Sequence, residues 1–119
     1  MDIKKDNLWL MQGDCLDRMK EIPSGSVDMI LTDPPYGMEF QSNYRNEKYS
    51  KIKNDKDLSW LSVWVDELFR VAADNTAHYV FCSFHNIDKF KQALEQRFKI
   101  RRTIQCIQFI KIKIKIFYP

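Results

Sequence analysis

Short apolar runs alternate along this chain with stretches whose apolar residues recur at helical spacing, and that alternation leaves few folds open. "LWLM" predicts a strand over Leu8–Met11 that closes on Gly13. "DCLDRMKEIP" predicts a short helix: Asp14 is its N-cap, Asp17 lies in the first turn, and Leu16, Met19 and Ile22 share a face before Pro23 stops it. "VDMILT", residues 27–32, predicts a buried strand. Leu58, Leu61, Val65, Leu68 and Ala72 mark one face of a second helix, widened by Trp60 and Trp64. "AHYVFCSF", residues 77–84, reads as another buried strand. Asn86 then caps a helix striped by Ile87, Phe90, Leu94 and Phe98, and "IRRTIQCIQFI", residues 100–110, reads as a further strand. Strands alternating with amphipathic helices predict an α/β domain, a mostly parallel sheet with helices packed on it. A chain of 119 residues fits one such domain.

The bulk composition excludes several classes. No apolar run approaches the roughly 20 residues that span a membrane, and the N-terminus lacks the apolar stretch of a secretory signal. Cys15, Cys82 and Cys106 are far apart and form neither a disulfide framework nor a metal-ligand pattern, so no metal site and a reducing cytoplasm are expected. Net charge is +3, unevenly spread. Arg101, Arg102, Lys111, Lys113 and Lys115 put +5 into residues 100–119 with no acid there; the remaining 14 basic residues face 16 acidic ones, leaving −2. The body is not a polybasic nucleic-acid binder. His78 and His85, near strand ends and without further ligands in pattern, read as structural.

The strand at 27–32 runs into "DPPYG". Prolines end strands, but here they separate an acid from an aromatic on a stiff backbone. Asp33, ionised, only accepts hydrogen bonds. Pro34 and Pro35 have no N–H to donate, which leaves carbonyl acceptors. Tyr36 adds a flat apolar face. Such a step suits an amino group on a planar heterocycle, its two N–H bonds going to Asp33 and the Pro34 carbonyl and its ring lying on Tyr36. Both this step and Gly13-Asp14 fall at strand ends, where α/β sheets bind ligands.

With these residues the chain resembles the amino-methylating DNA methyltransferases, the adenine-N6 and cytosine-N4 family. It is closest to the permuted type, in which a Gly-Asp, a helix and an Asp-Pro-Pro-Tyr strand come near the N-terminus. The likeness is tight over 12–37 and loose to about 105. The resemblance implies a Rossmann-like, S-adenosylmethionine-dependent methyltransferase sheet and methyl transfer to a flipped adenine in DNA. It implies Asp33, Pro34, Pro35 and Tyr36 as the catalytic step, with Asp33 and Asp14 also meeting the cofactor; Asp14 serves equally as a plain helix cap. Residues 37–57 would form a lid, with Tyr36, Tyr44, Arg45 and Lys48 toward nucleic acid, or an ordinary solvated loop. Asp at position 33 favours adenine; cytosine-N4 is the enzymatic alternative.

The chain departs from the family after residue 37. Its glycines are Gly13, Gly25 and Gly37, so no Gly-x-Gly is present to wrap the methionine part of the cofactor. Nor is there room for a target-recognition domain. The expectation is a single, incomplete catalytic domain over 1–119 with an atypical Ile/Lys tail at 106–119, which is either an edge strand or the product of a frame slip. Such a chain is expected to be a homo-oligomer or one half of a complex, inactive alone. A non-enzymatic remnant and a nucleic-acid-binding module are the alternatives.

Overall fold

The computed structural model describes residues 1–35 and 57–104. Within them lie β1 (Ile3–Lys5), β2 (Leu8–Leu10), α1 (Cys15–Met19), β3 (Leu31–Thr32), α2 (Leu61–Val71), β4 (Tyr79–Val80), a 3-10 turn (Phe84–Asn86) and α3 (Ile87–Glu95). The described residues thus form a small α/β structure. β3 and β4 pair in parallel, Leu31 opposite Tyr79 and Thr32 opposite Val80. A parallel bridge between Val27 and Ala72 precedes them.

β1 and β2 form a separate antiparallel hairpin, Ile3 opposite Leu10 and Lys5 opposite Leu8. The sequence reading anticipated β2 but not β1, and it placed β2 in one parallel sheet. The available signal was Asp6-Asn7, a two-residue turn pair between "IKK" and "LWL". The expected strand over 100–110 has no counterpart in residues 101–104, and its remainder lies outside the described residues.

α2 supplies most of the core. Leu61, Trp64, Val65 and Leu68 are buried on one face, Phe90 and Ala93 of α3 meet them, and Val80 of β4 packs against the cluster with Ile30 and Cys82, which flank the strands. Trp60 and Trp64 stack edge to face with centroids 5.5 Å apart. α1 attaches through Leu16 and Met19. The other face of the parallel pair is apolar and exposed: Met29, Leu31, Tyr79 and Phe81 each keep more than half of their surface in solvent.

The expected strand over 27–32 is realised only at Leu31–Thr32, and the reason is a side chain. Ile30 N donates to His78 Nδ1 at 3.0 Å. Because Nδ1 accepts, Nε2 carries the proton and donates to Thr76 Oγ1 at 2.8 Å, and Thr76 Oγ1 donates to the Ala73 carbonyl at 2.6 Å. Asn75, in the intervening turn, adopts φ 62°, a region that Asn tolerates. His78 is therefore a neutral staple between the two strand entries, which bears out its structural reading. Burial pushes its pKa below the ordinary 6.5.

Protonation then favours the unfolded chain. The stability from His78 is complete above pH 6.5 and is lost as pH falls from there through the lowered folded value. Urea midpoints should drop between pH 7.5 and 5 in the native chain, and drop less in His78→Gln. Equal losses in both would show that the acid sensitivity lies elsewhere.

Candidate active site at the end of the parallel strands

Chain chemistry ends the β3–β4 ladder where the acid–proline step begins. Tyr79 N bonds to Ile30 O at 2.8 Å and Phe81 N to Thr32 O at 2.9 Å. Pro34 has no N–H with which to continue the pairing. Asp33 is exposed, Pro34 is buried and Pro35 is half-buried. An acid at the surface is thereby carried on a rigid step whose next residue is anchored in the protein. This is the carboxyl end of a parallel strand pair, where open α/β sheets present ligands with a crevice. Tyr36, Tyr44, Arg45 and Lys48 lie outside the described residues.

Asp14 stands on a different element. Its backbone is extended at φ −63° and ψ 129°, and its carboxylate accepts from Leu16 N at 3.0 Å, capping α1. The cap reading of Asp14 therefore holds. Gly13 before it adopts φ +141°, a backbone conformation that favours glycine, and a Cβ there would lie 3.1 Å from Arg18 Cδ, so the Arg18 side chain would have to shift slightly. Next to Asp14, Cys15 is a free thiol, pushed up by burial and then by the Asp14 carboxylate; burial likewise raises the Cys82 thiol. Neither is an activated nucleophile.

Sequence reasoning treated residues 79–83 chiefly as core and passed over Ser83. Ser83 is 8% exposed and follows β4 at the same end of the pair as Asp33 and Pro34. Its only sequence signal is a hydroxyl closing the apolar run "YVFC". Among the described residues, no group of three or more His, Cys, Asp or Glu side chains is arranged to hold a metal, and no helix is long and apolar enough to cross a membrane.

The putative methylase YubD of Escherichia coli K12 is 35% identical over 83 residues, which cover 70% of this chain and 35% of YubD. The type II methyltransferase M.HinfI of Haemophilus influenzae is 28% identical over 89 residues, covering 66% of this chain and 25% of the relative. The DNA adenine methyltransferase YhdJ of E. coli K12 is 30% identical over 95 residues, covering 80% of this chain and 31% of YhdJ. The chain thus spans only a quarter to a third or so of the length of these relatives. The model of the adenine-N6 and cytosine-N4 DNA methylases matches residues 27–115, a span that opens at the Val27 bridge and takes in the acid–proline step, α2, β4 and α3. With most of its length matched, the chain belongs to the N6/N4 DNA methylase family.

Proposed function

We propose that this chain is the amine-gripping catalytic part of an adenine-N6 DNA methyltransferase of the restriction-modification or phage type, and that it does not complete a turnover alone. The observation that carries the reading is the exposed Asp33 on a buried Pro34 at the carboxyl end of β3, inside the span shared with the DNA methylases. One N–H of an adenine amine goes to the Asp33 carboxylate and the other to the Pro34 carbonyl. Two acceptors fixed on one rigid step hold both N–H bonds and leave the nitrogen lone pair free. A carboxylate beside the nitrogen favours any positive charge the nitrogen acquires. Tyr36 is assigned the stacking face for the base. Asp at position 33, and the name of the YhdJ relative, favour adenine over cytosine.

The family's methyl donor, S-adenosylmethionine, supplies an electrophilic methyl group when bound. The described residues do not fit the whole of it. A cofactor cradle needs glycines whose missing Cβ opens toward the ligand. Gly13 faces the Arg18 side chain instead, and Gly13, Gly25 and Gly37 are too far apart to form a Gly-x-Gly. Asp14 remains the candidate for the cofactor's adenine end. Met29, Leu31, Tyr79 and Phe81 form an exposed apolar face of the kind that parallel sheets cover, and a second copy or a partner chain is the proposed cover. Tyr44, Arg45 and Lys48 are proposed contacts to DNA, and the cytoplasm is the proposed compartment.

The grip is tested by calorimetric titration with deoxyadenosine. The native chain should bind saturably, and Asp33→Ala should bind about tenfold or more weakly, the cost of a lost charge-assisted hydrogen bond. Equal affinities would remove Asp33 from the site. Labelled methyl transfer to DNA by the chain alone should stay at background; measurable transfer would sink the claim of incompetence.

A further inference from the structure

We infer that Ser83 is a further contact of this site, its hydroxyl donating to the ring nitrogen beside the gripped amine. The inference rests on the amine-grip reading and deepens it. Ser83 is 8% exposed, and its Oγ is buried with no hydrogen-bond partner among the described residues. A buried hydroxyl without a partner is costly in a folded protein and calls for a reason.

The ordinary reason is absent. Ser83 occupies the N-cap position of the 3-10 turn Phe84–Asn86, yet its side chain makes no capping bond. The amide of Asn86 bonds the Ser83 carbonyl at 3.3 Å instead. Nor does the hydroxyl serve the sheet, because the last ladder bond is Phe81 N to Thr32 O. Ser83 lies two residues past Phe81 as Pro34 lies two past Thr32, so both residues close the same end of the parallel pair.

Donor and acceptor counting says what the hydroxyl is for. The acid–proline step offers only acceptors: a carboxylate, and carbonyls on residues without N–H. It can hold an amine but nothing else on that edge of the base. Adenine carries an acceptor nitrogen, N1, directly beside its amino carbon, and cytosine carries N3 in the same relation. Burying either leaves that nitrogen unpaired unless a donor meets it. Ser83 Oγ–H is a donor with no partner among the described residues, at the end of the neighbouring strand. It would complete recognition of an amino group next to a ring acceptor, the pattern common to both bases of the family.

The 119-residue chain is titrated calorimetrically with deoxyadenosine and with 1-deaza-2′-deoxyadenosine, which lacks only the acceptor nitrogen. The native chain should prefer deoxyadenosine about fivefold, the size of one neutral hydrogen bond. Ser83→Ala should bind both nucleosides equally, and Ser83→Thr, which keeps the hydroxyl, should retain the preference. Ser83→Ala should melt no lower than the native chain, since it removes a hydroxyl without a partner; a variant that unfolds would show a structural bond there and overturn the inference. A preference that survives in Ser83→Ala, while Asp33→Ala weakens both ligands, would overturn the role of Ser83 and leave the grip standing. Absence of saturable deoxyadenosine binding to the native chain would overturn the grip, and this inference with it.

Discussion

Phe90→Ala should remove about 3–5 kcal/mol of folding stability, the usual cost of truncating a buried phenyl ring. Phe90 is 1% exposed and belongs to the cluster of Leu61, Trp64, Val65, Leu68 and Ala93. With Ala93 it seats α3 on α2, and the same cluster receives Val80 of β4 and Ile30, just before β3. A domain of this size has about 5–15 kcal/mol in all, so the loss takes a large share. The urea midpoint should fall steeply in Phe90→Ala and by much less in Phe90→Leu, which refills most of the volume at a cost of about 1–2 kcal/mol. A native-like midpoint for Phe90→Ala would mean that α3 is not seated on α2 as described.

The parts of this architecture that were legible in the sequence are those that depend on near neighbours. α2 announced itself because Leu61, Val65 and Leu68 repeat at helical spacing over 11 residues. The Asp14 cap needed only a carboxylate two residues before the amide it accepts. Asp33 could be placed at a strand end because proline chemistry stops a ladder wherever it occurs. The strands themselves were drawn too long. Nothing within 27–32 tells that the Ile30 amide will be taken by a histidine 48 residues away. Ser83 was illegible for the opposite reason: the want of a partner is a property of the whole packed structure, and a serine ending an apolar run looks like any other. The roles of Tyr36, Tyr44, Arg45 and Lys48 rest on the family resemblance alone, since these residues lie outside the described ones.

Arg70→Ala should cost about 2–4 kcal/mol, because it strands the end of α1, and the geometry says why one surface-facing arginine matters so much. Its Nη1 donates to Ile22 O at 2.9 Å and to Ser24 Oγ at 3.1 Å, and its Nη2 donates to Met19 O at 2.8 Å. Glu67, one turn earlier on α2, orients the guanidinium by accepting from Nε at 3.1 Å and from Nη2 at 2.9 Å. α1 has five residues, too few to persist alone. Two of the carbonyls at and just beyond its end are bonded by Arg70 from another helix. Without the guanidinium these carbonyls lose their charged donor, and α1 keeps Leu16, Met19, its cap and the ion pair of Arg18 with Asp2. Lysine offers one compact charge in place of a planar fork, so Arg70→Lys should recover only part of the loss. Hydrogen exchange separates a local from a global effect. In Arg70→Ala the amides of Arg18, Glu21 and Ile22, bonded to Asp14 O, Arg18 O and Met19 O, should lose protection well before those of α2. Native protection at those amides would mean that α1 stands without Arg70. If they exchange as expected, the position of Asp14 at the head of that helix is set from α2, and any contact Asp14 makes to a cofactor is set by Arg70 as well.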